Sequence, residues 1–253
     1  MKMFFPAVVI FFISLSASAQ DKFSLGTGVD YSSGKYGGTT SIDIIYIPVT
    51  AKYEAENSFY KLTVPYISVT GTGTSSVIRG LGRSGLVMNS TSTTTNSGLG
   101  DVVASAGYNA YDSELFALDL VGNIKFGTAD ANKGLGTGYN DYSAQLDAYY
   151  ILDKTTLFAT AGYKIYGSPP GLSLSNAVYG TFGASRKLNN KTSIGAMYDQ
   201  TQSPIVYGAG QSEFTVYLSE KIKPDLKVQV NVMKGFSSAS PDYGGGVMIT
   251  GYF

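Results

Sequence analysis

The sequence predicts an all-β chain, an up-and-down antiparallel transmembrane β-barrel of about twelve strands with long extracellular loops and tight periplasmic turns. Three observations carry that prediction. Segments of about ten residues alternate apolar and polar side chains with the period of two that an extended chain imposes. Long Gly- and Ser-rich breaks alternate with tight turns between those segments, which a barrel requires and a β-sandwich does not. After the amino-terminal segment no apolar run approaches the roughly 20 residues of a membrane helix, so a bilayer-crossing chain of this sequence must cross as strands.

Residues 1–19 read as an export signal. Lys2 gives the positive start, Phe4 to Leu15 an apolar run broken only by Pro6 and Ser14, and Ala17-Ser18-Ala19 a small-residue cleavage site. Residues 20–253 then form one outer-membrane barrel domain, with the bacterial cell outer membrane as its expected location.

The first strand alternates Phe23, Leu25, Val29 and Tyr31 with Ser24, Gly26, Gly28 and Asp30. After a Gly-rich break the segment Thr40 to Tyr53 sets Ile42, Ile44 and Tyr46 against Ser41 and Asp43, and Pro48 suggests a bulge or a shift of register there. Tyr60, Leu62, Val64 and Tyr66 follow, opposed by Lys61 and Thr63. The longest break, Gly71 to Gly98, is rich in Ser, Thr and Gly around an apolar and basic middle.

Beyond it the rhythm is regular. The apolar series Val102 to Tyr108, Phe116 to Phe126, Tyr142 to Tyr150, Leu157 to Ile165, Val178 to Ala184, Ile194 to Tyr198, Phe214 to Leu218 and Leu226 to Val232 each face away from polar neighbours. Turns at Asp112 to Glu114, Asp153-Lys154, Asn189 to Lys191 and Lys223 to Asp225 are short; breaks at 128–139, 167–175, 203–210 and 237–243 are long. Val247, Ile249 and Phe253 make the outward face of a closing strand, with Gly251 interrupting the series. An even count places both termini on the short-turn side.

Composition narrows the function classes. With 31 Gly, 20 Tyr and 13 Phe but no Trp, interfacial anchoring falls to Tyr and Phe. The absence of Cys excludes disulfides and cysteine-linked lipid. The absence of His removes the usual general base and the commonest metal ligand, and no nucleophile and base pair suggests itself, so no enzyme is expected. Lys and Arg balance Asp and Glu at 18 each, so no basic field marks a nucleic-acid partner.

Gly80-Leu81-Gly82-Arg83-Ser84-Gly85 spells a dinucleotide fingerprint, yet a Ser/Thr tract follows where a helix is needed. Asp130, Asn132 and Gly134 hint at a calcium loop that lacks its later ligands. Neither motif supports a cofactor or a metal.

What remains is the interior face. Asp101, Asp119, Lys125, Asp147, Lys164 and Asp199, with Lys187, Glu213, Lys221 and Lys227, point into the lumen, where they either pair among themselves or line a path. In the long break, Val77, Ile78, Leu81, Leu86 and Val87 are more apolar than an exposed loop needs. If that segment folds inward it becomes a constriction, with Arg79 and Arg83 meeting Asp101 or Asp119; otherwise it is an ordinary extracellular loop.

Leu62-Thr63-Val64-Pro65-Tyr66, Tyr31-Ser32-Ser33-Gly34 and Ser97-Gly98-Leu99-Gly100-Asp101 resemble segments of bacterial outer-membrane transporters of the phenol meta-degradation pathway family. The resemblance runs along most of the chain and implies an outer-membrane channel or uptake pore for small, aromatic or hydrophobic molecules by passive diffusion. The alternative from another class is a structural or adhesive surface protein with a plugged lumen. Its partners are then the lipid bilayer, the barrel assembly machinery and, for a channel, a small-molecule permeant; the sequence leaves oligomeric state open.

Resemblance to other outer-membrane barrels makes Phe253 part of the signal read by the assembly machinery. Deleting Phe253 is expected to lower the amount of heat-modifiable barrel in the outer membrane while synthesis and export continue. A mere interface anchor would instead cost a little stability and leave the amount unchanged.

Overall fold

The computed structural model describes residues 22–71, 75–76, 87–88 and 93–253. The export segment, Arg79, Arg83 and residues 77–86 of the expected constriction lie outside them.

Among the described residues fifteen strands follow one another: β1 (Lys22–Gly34), β2 (Ile42–Glu54), β3 (Ser58–Gly71), β4 (Ser75–Ser76), β5 (Val87–Met88), β6 (Thr94–Leu99), β7 (Val103–Asp112), β8 (Phe116–Lys125), β9 (Asp141–Leu152), β10 (Thr155–Ile165), β11 (Ala177–Lys187), β12 (Thr192–Thr201), β13 (Gln211–Lys223), β14 (Leu226–Gly235) and β15 (Tyr243–Tyr252). β4 and β5 pair only with each other, and β6 and β7 are two halves of one stave, both laid against β3. That leaves a closed antiparallel barrel of twelve staves. β15 pairs with β14 on one side and β1 on the other, which closes the wall.

Connections alternate as the sequence predicts. Residues 35–41, 126–140, 166–176, 202–210 and 236–242 lie at one end, where β3 also stops and β6 starts; 55–57, 113–115, 153–154, 188–191 and 224–225 lie at the other, beside both ends of the barrel sheet. Short turns take the periplasmic side in barrels of this type. Aromatic rings gather at both rims of the outward face, as in Phe23 with Phe253 (centroids 6.1 Å apart) at the short-turn end and Tyr31 with Tyr243 (6.4 Å) at the other. Among the described residues no helix is long and apolar enough to cross a membrane.

Three details depart from the sequence reading, the first being that the strand Thr94–Leu99 falls inside the break expected from Gly71 to Gly98. In β2 the phase is the opposite of the one expected: Ile42, Ile44 and Tyr46 turn inward and are buried, while Ile45, Ile47, Val49 and Tyr53 face out. Ser41 and Asp43 set the expected phase, but Asp43 lies on the outward face at the rim, where the Tyr31 hydroxyl donates to it at 2.8 Å, and the stretch from Ile44 to Ile47 is apolar on both faces. The bulge expected at Pro48 is also absent. Pairing with β3 runs unbroken through Pro48 opposite Pro65, and only the ladder to β1 lapses, between Thr27↔Val49 and Asp30↔Tyr46, where Pro48 has no N–H to give.

The irregularity falls instead across from Pro65. Tyr66 pairs with Leu99 and Thr63 with Val103, so the stave gains one residue between β6 and β7. Gly100 still donates its N–H to the Pro65 carbonyl at 2.8 Å, and Asp101 beside it is fully buried.

Because the chain has no native cysteine, Asn132→Cys and Asn190→Cys report the orientation cleanly. Both positions are exposed, at opposite ends of the barrel. A membrane-impermeant maleimide added to intact cells should label the first and spare the second; the reverse pattern would invert the topology.

Candidate functional site

The pleat fixes what the lumen contains. Alternate residues of every stave point inward, and register carries the phase from stave to stave around the barrel. Asp119, Lys125, Asp147, Lys164 and Asp199 all fall on the inward phase, as the sequence predicts, and Asp101 enters through the β6–β7 irregularity. They do not gather at one point.

Four of the buried charges form a chain near the long-loop end. Lys125 Nζ lies 2.6 Å from Asp101 Oδ2 and 3.5 Å from Asp141 Oδ2, and Lys164 Nζ lies 3.2 Å from that same Asp141 oxygen. All four side chains are nearly inaccessible, between 0% and 4% exposed. Hydrogen bonds complete the set: Ala129 N–H donates to Asp101 (2.9 Å), Gly167 N–H to Asp141 (3.1 Å), and Lys125 to the Tyr139 carbonyl (3.2 Å). The Lys164 ammonium also sits 4.6 Å above the Tyr166 ring. Burial, with Asp141 nearby, pushes the Tyr166 phenol above its ordinary range, which keeps it neutral under the ammonium.

Asp141 was missed in the sequence because the apolar series of its strand begins one residue later, at Tyr142. Its register partner is Lys125, and that opposition of charge was the available signal.

A second set lies closer to the middle of the staves. Asp119 and Asp147 oppose each other on β8 and β9. Asn109 donates to Asp119 at 2.9 Å; Gln145 donates to both oxygens of Asp147 at 2.9 Å, Thr160 adds a bond of 2.5 Å, and Tyr179 donates to Gln145 at 2.8 Å. Asp199 stands apart, opposite Glu213, and accepts from Thr181 at 2.5 Å.

Residues 126–140 turn back against the inner wall. Thr128 Oγ1 accepts from Val102 N–H (2.9 Å) and donates to the Gly100 carbonyl (3.3 Å), which ties the loop's first arm to the irregular stave. Gly127 donates to the Asn140 side chain at 3.0 Å, and a Cβ there would overlap the Gly138 backbone, so the two arms cross at glycine. Asp130 accepts N–H bonds from Asn132 (2.9 Å) and Lys133 (3.3 Å), so it caps this turn. At the tip, Leu135 is wholly buried and joins Ala129, Tyr36, Ile42, Ile44, Tyr46, Ile67 and Val69 in one apolar cluster.

Elsewhere the lumen accommodates large rings by placing glycine opposite them. Phe59 faces Gly107, Phe158 faces Gly183, Tyr179 faces Gly162 and Tyr217 faces Gly195, each pair directly opposed in register. A Cβ on any of those glycines would overlap the opposing ring. The rings therefore lie over the neighbouring backbone.

A family model described as "Putative MetA-pathway of phenol degradation" matches residues 43–251. No curated protein matches the sequence. Among solved structures, the chain is similar to an outer membrane channel from Pseudomonas putida F1, at a TM-score of 0.69 and 12% identity, over 94% of this chain and 97% of that one. It is also similar to the KdgM porin, at a TM-score of 0.58 and 12% identity over 91% and 99% of the two chains. The translocator domain of the autotransporter NalP from Neisseria meningitidis gives a TM-score of 0.55 at 12% identity, over 95% and 91%. At these identities the likeness establishes the barrel fold.

Lys125 is the centre of the charge chain, and Lys125→Met strands two buried carboxylates. The substitution is expected to cost about 3–5 kcal/mol of barrel stability. A drop in the urea midpoint of the lipid-embedded protein checks it, and adding Asp101→Asn should restore part of the loss; additive losses would break the assignment.

Proposed function

The chain belongs to the phenol-degradation MetA-pathway family that its residues 43–251 match, and on that premise we propose that it is a channel of the bacterial outer membrane passing small aromatic or hydrophobic molecules by passive diffusion. The observation that carries this reading is the set of lumenal rings laid over register-opposed glycines. A ring standing upright would subtract from the bore. A ring laid over glycine leaves room; Tyr179 is buried and Phe59 lies under the Lys52 ammonium, so Phe158 and Tyr217, both half-buried, are the rings on which a planar apolar solute can stack.

Polar side chains between these rings keep the lumen wet, so no single site holds the solute strongly. Conduction needs binding that is favourable enough to enter and weak and repeated enough to leave. Twelve staves suit a narrow path, between the filled interior of about 8 strands and the open aqueous channel of 16 to 18.

Purified protein in a planar lipid bilayer should give discrete current steps, and phenol added on one side should interrupt them while a sugar of similar size does not. Replacing Phe158 by Ala is expected to weaken that block by about 2–10-fold, the effect of one lost ring contact. Folded protein that never conducts would favour the surface protein with a plugged lumen.

A further inference from the structure

Within a lumen lined mostly by Thr, Ser, Asn, Gln and charged side chains, the upper inner face of β2 and β3 is apolar. Ile44 opposes Val69 and Tyr46 opposes Ile67, with Ile42 next above them. Ile44, Ile67 and Val69 are 0–1% exposed, so this strip is sealed from water. Over it pack Tyr36 from residues 35–41 and Ala129 and Leu135 from residues 126–140; Leu135, at the tip, is wholly buried, and its Cδ1 would lie 3.0 Å from a Cβ placed on Gly98 of the wall.

An apolar strip facing a barrel interior requires a physical cause. The outer face of the same stretch already supplies the lipid contact, through Ile45 and Ile47, so Ile42, Ile44, Ile67 and Val69 serve nothing in membrane insertion. Plugging the mouth does not require them either, since the neighbouring charge chain shows that polar groups close this region well. What the strip provides is a surface complementary to an uncharged apolar body about the size of a leucine side chain, and Leu135 is the body now on it.

The construction of the loop separates its base from its tip. Thr128, Asp101 and Asn140 hold the arms to the wall by hydrogen bonds, whereas the Leu135 side chain meets the wall by apolar contact while its N–H donates to the Asp130 carbonyl within the loop (3.0 Å), and Gly134 and Gly136 flank it. Gly134 and Gly138 adopt φ of +70°, which favours glycine, and they bracket the tip. A small apolar molecule that took the place of Leu135 would bury comparable area on the same strip, so burial is close to balanced and occupancy follows the molecule's concentration, which offsets the freedom it loses on binding.

We propose that the strip formed by Ile42, Ile44, Ile67 and Val69 is a docking site for one small uncharged apolar molecule, which enters by displacing Leu135 while the arms of the loop stay tied. The site's place on a permeation route rests on the channel reading above; its existence as a binding site does not.

The chain has no cysteine of its own, so Gly98→Cys with Leu135→Cys makes a pair whose disulfide forms when the tip is seated. The barrel is reconstituted in lipid vesicles and oxidised with and without toluene, the probe used. Toluene is expected to slow cross-linking several-fold in this pair. It should leave unchanged a control pair in the wall, Thr27→Cys with Ile249→Cys, which are register partners across the seam. With Leu135 intact, xenon or toluene contacts to Ile44 and Val69 methyl groups, read by NMR, should appear and should vanish in Ile44→Asn. A cross-linking rate indifferent to toluene, with no such contacts, overturns the site. Bilayer current separates the two readings: toluene-sensitive cross-linking in a barrel that never conducts keeps the site and removes the channel.

Discussion

A strand that crosses lipid has nowhere to place an unpaired N–H or C=O, and the rest of this molecule follows from that requirement. The wall must close, and it closes where β15 meets β1 in ten consecutive register pairs from Ser24↔Tyr252 to Ser33↔Tyr243. Phe253 extends the seam past the last ladder pair, donating its N–H to the Phe23 carbonyl at 2.8 Å. Closure fixes register, register fixes phase, and phase decides which side chain of each residue pair meets lipid and which meets the lumen.

Inside the closed wall the difficulty reverses, because a barrel of this size has to keep its interior from either collapsing or gaping. Two devices share that task. Rings are laid over glycines on the neighbouring stave, and charges are tied to one another across staves, as along Asp101, Lys125, Asp141 and Lys164. Both depend on side chains directly opposite or diagonal in the ladder, so they are properties of pairs of staves and of no single strand.

That dependence explains how much could be read before the structure. The outward face was legible at Phe23, Leu25, Val29 and Tyr31, and again at Tyr142, Leu146 and Tyr150, because one face touches lipid and the other water. It failed at Ile42 to Ile47, where both faces are apolar save for Asp43, a rim residue of the outward face that gave the inverted phase. The strand Thr94–Leu99 was hidden in a Ser/Thr tract that looks like loop. Asp101 and Lys125 were assigned to the lumen, yet their partner Asp141 was not, since pairing is a fact of register that a single strand does not contain. Two of the short segments that resemble the family, Leu62 to Tyr66 and Ser97 to Asp101, prove to be neighbours in the wall: Tyr66 pairs with Leu99, and Pro65 accepts from Gly100. They meet at the irregularity that delivers Asp101 to the charge chain.

The charge chain has one further property. Its members alternate in sign, acid, base, acid, base, and their formal charges cancel within the run from Asp101 to Lys164. A cancelled row has no pole at a distance: its field is a sum of opposed short dipoles and dies away within a few side-chain lengths. The long-loop end of the barrel is thus braced by four ions that add no net attraction or repulsion for a solute approaching from outside, and dissolved salt finds little there to screen.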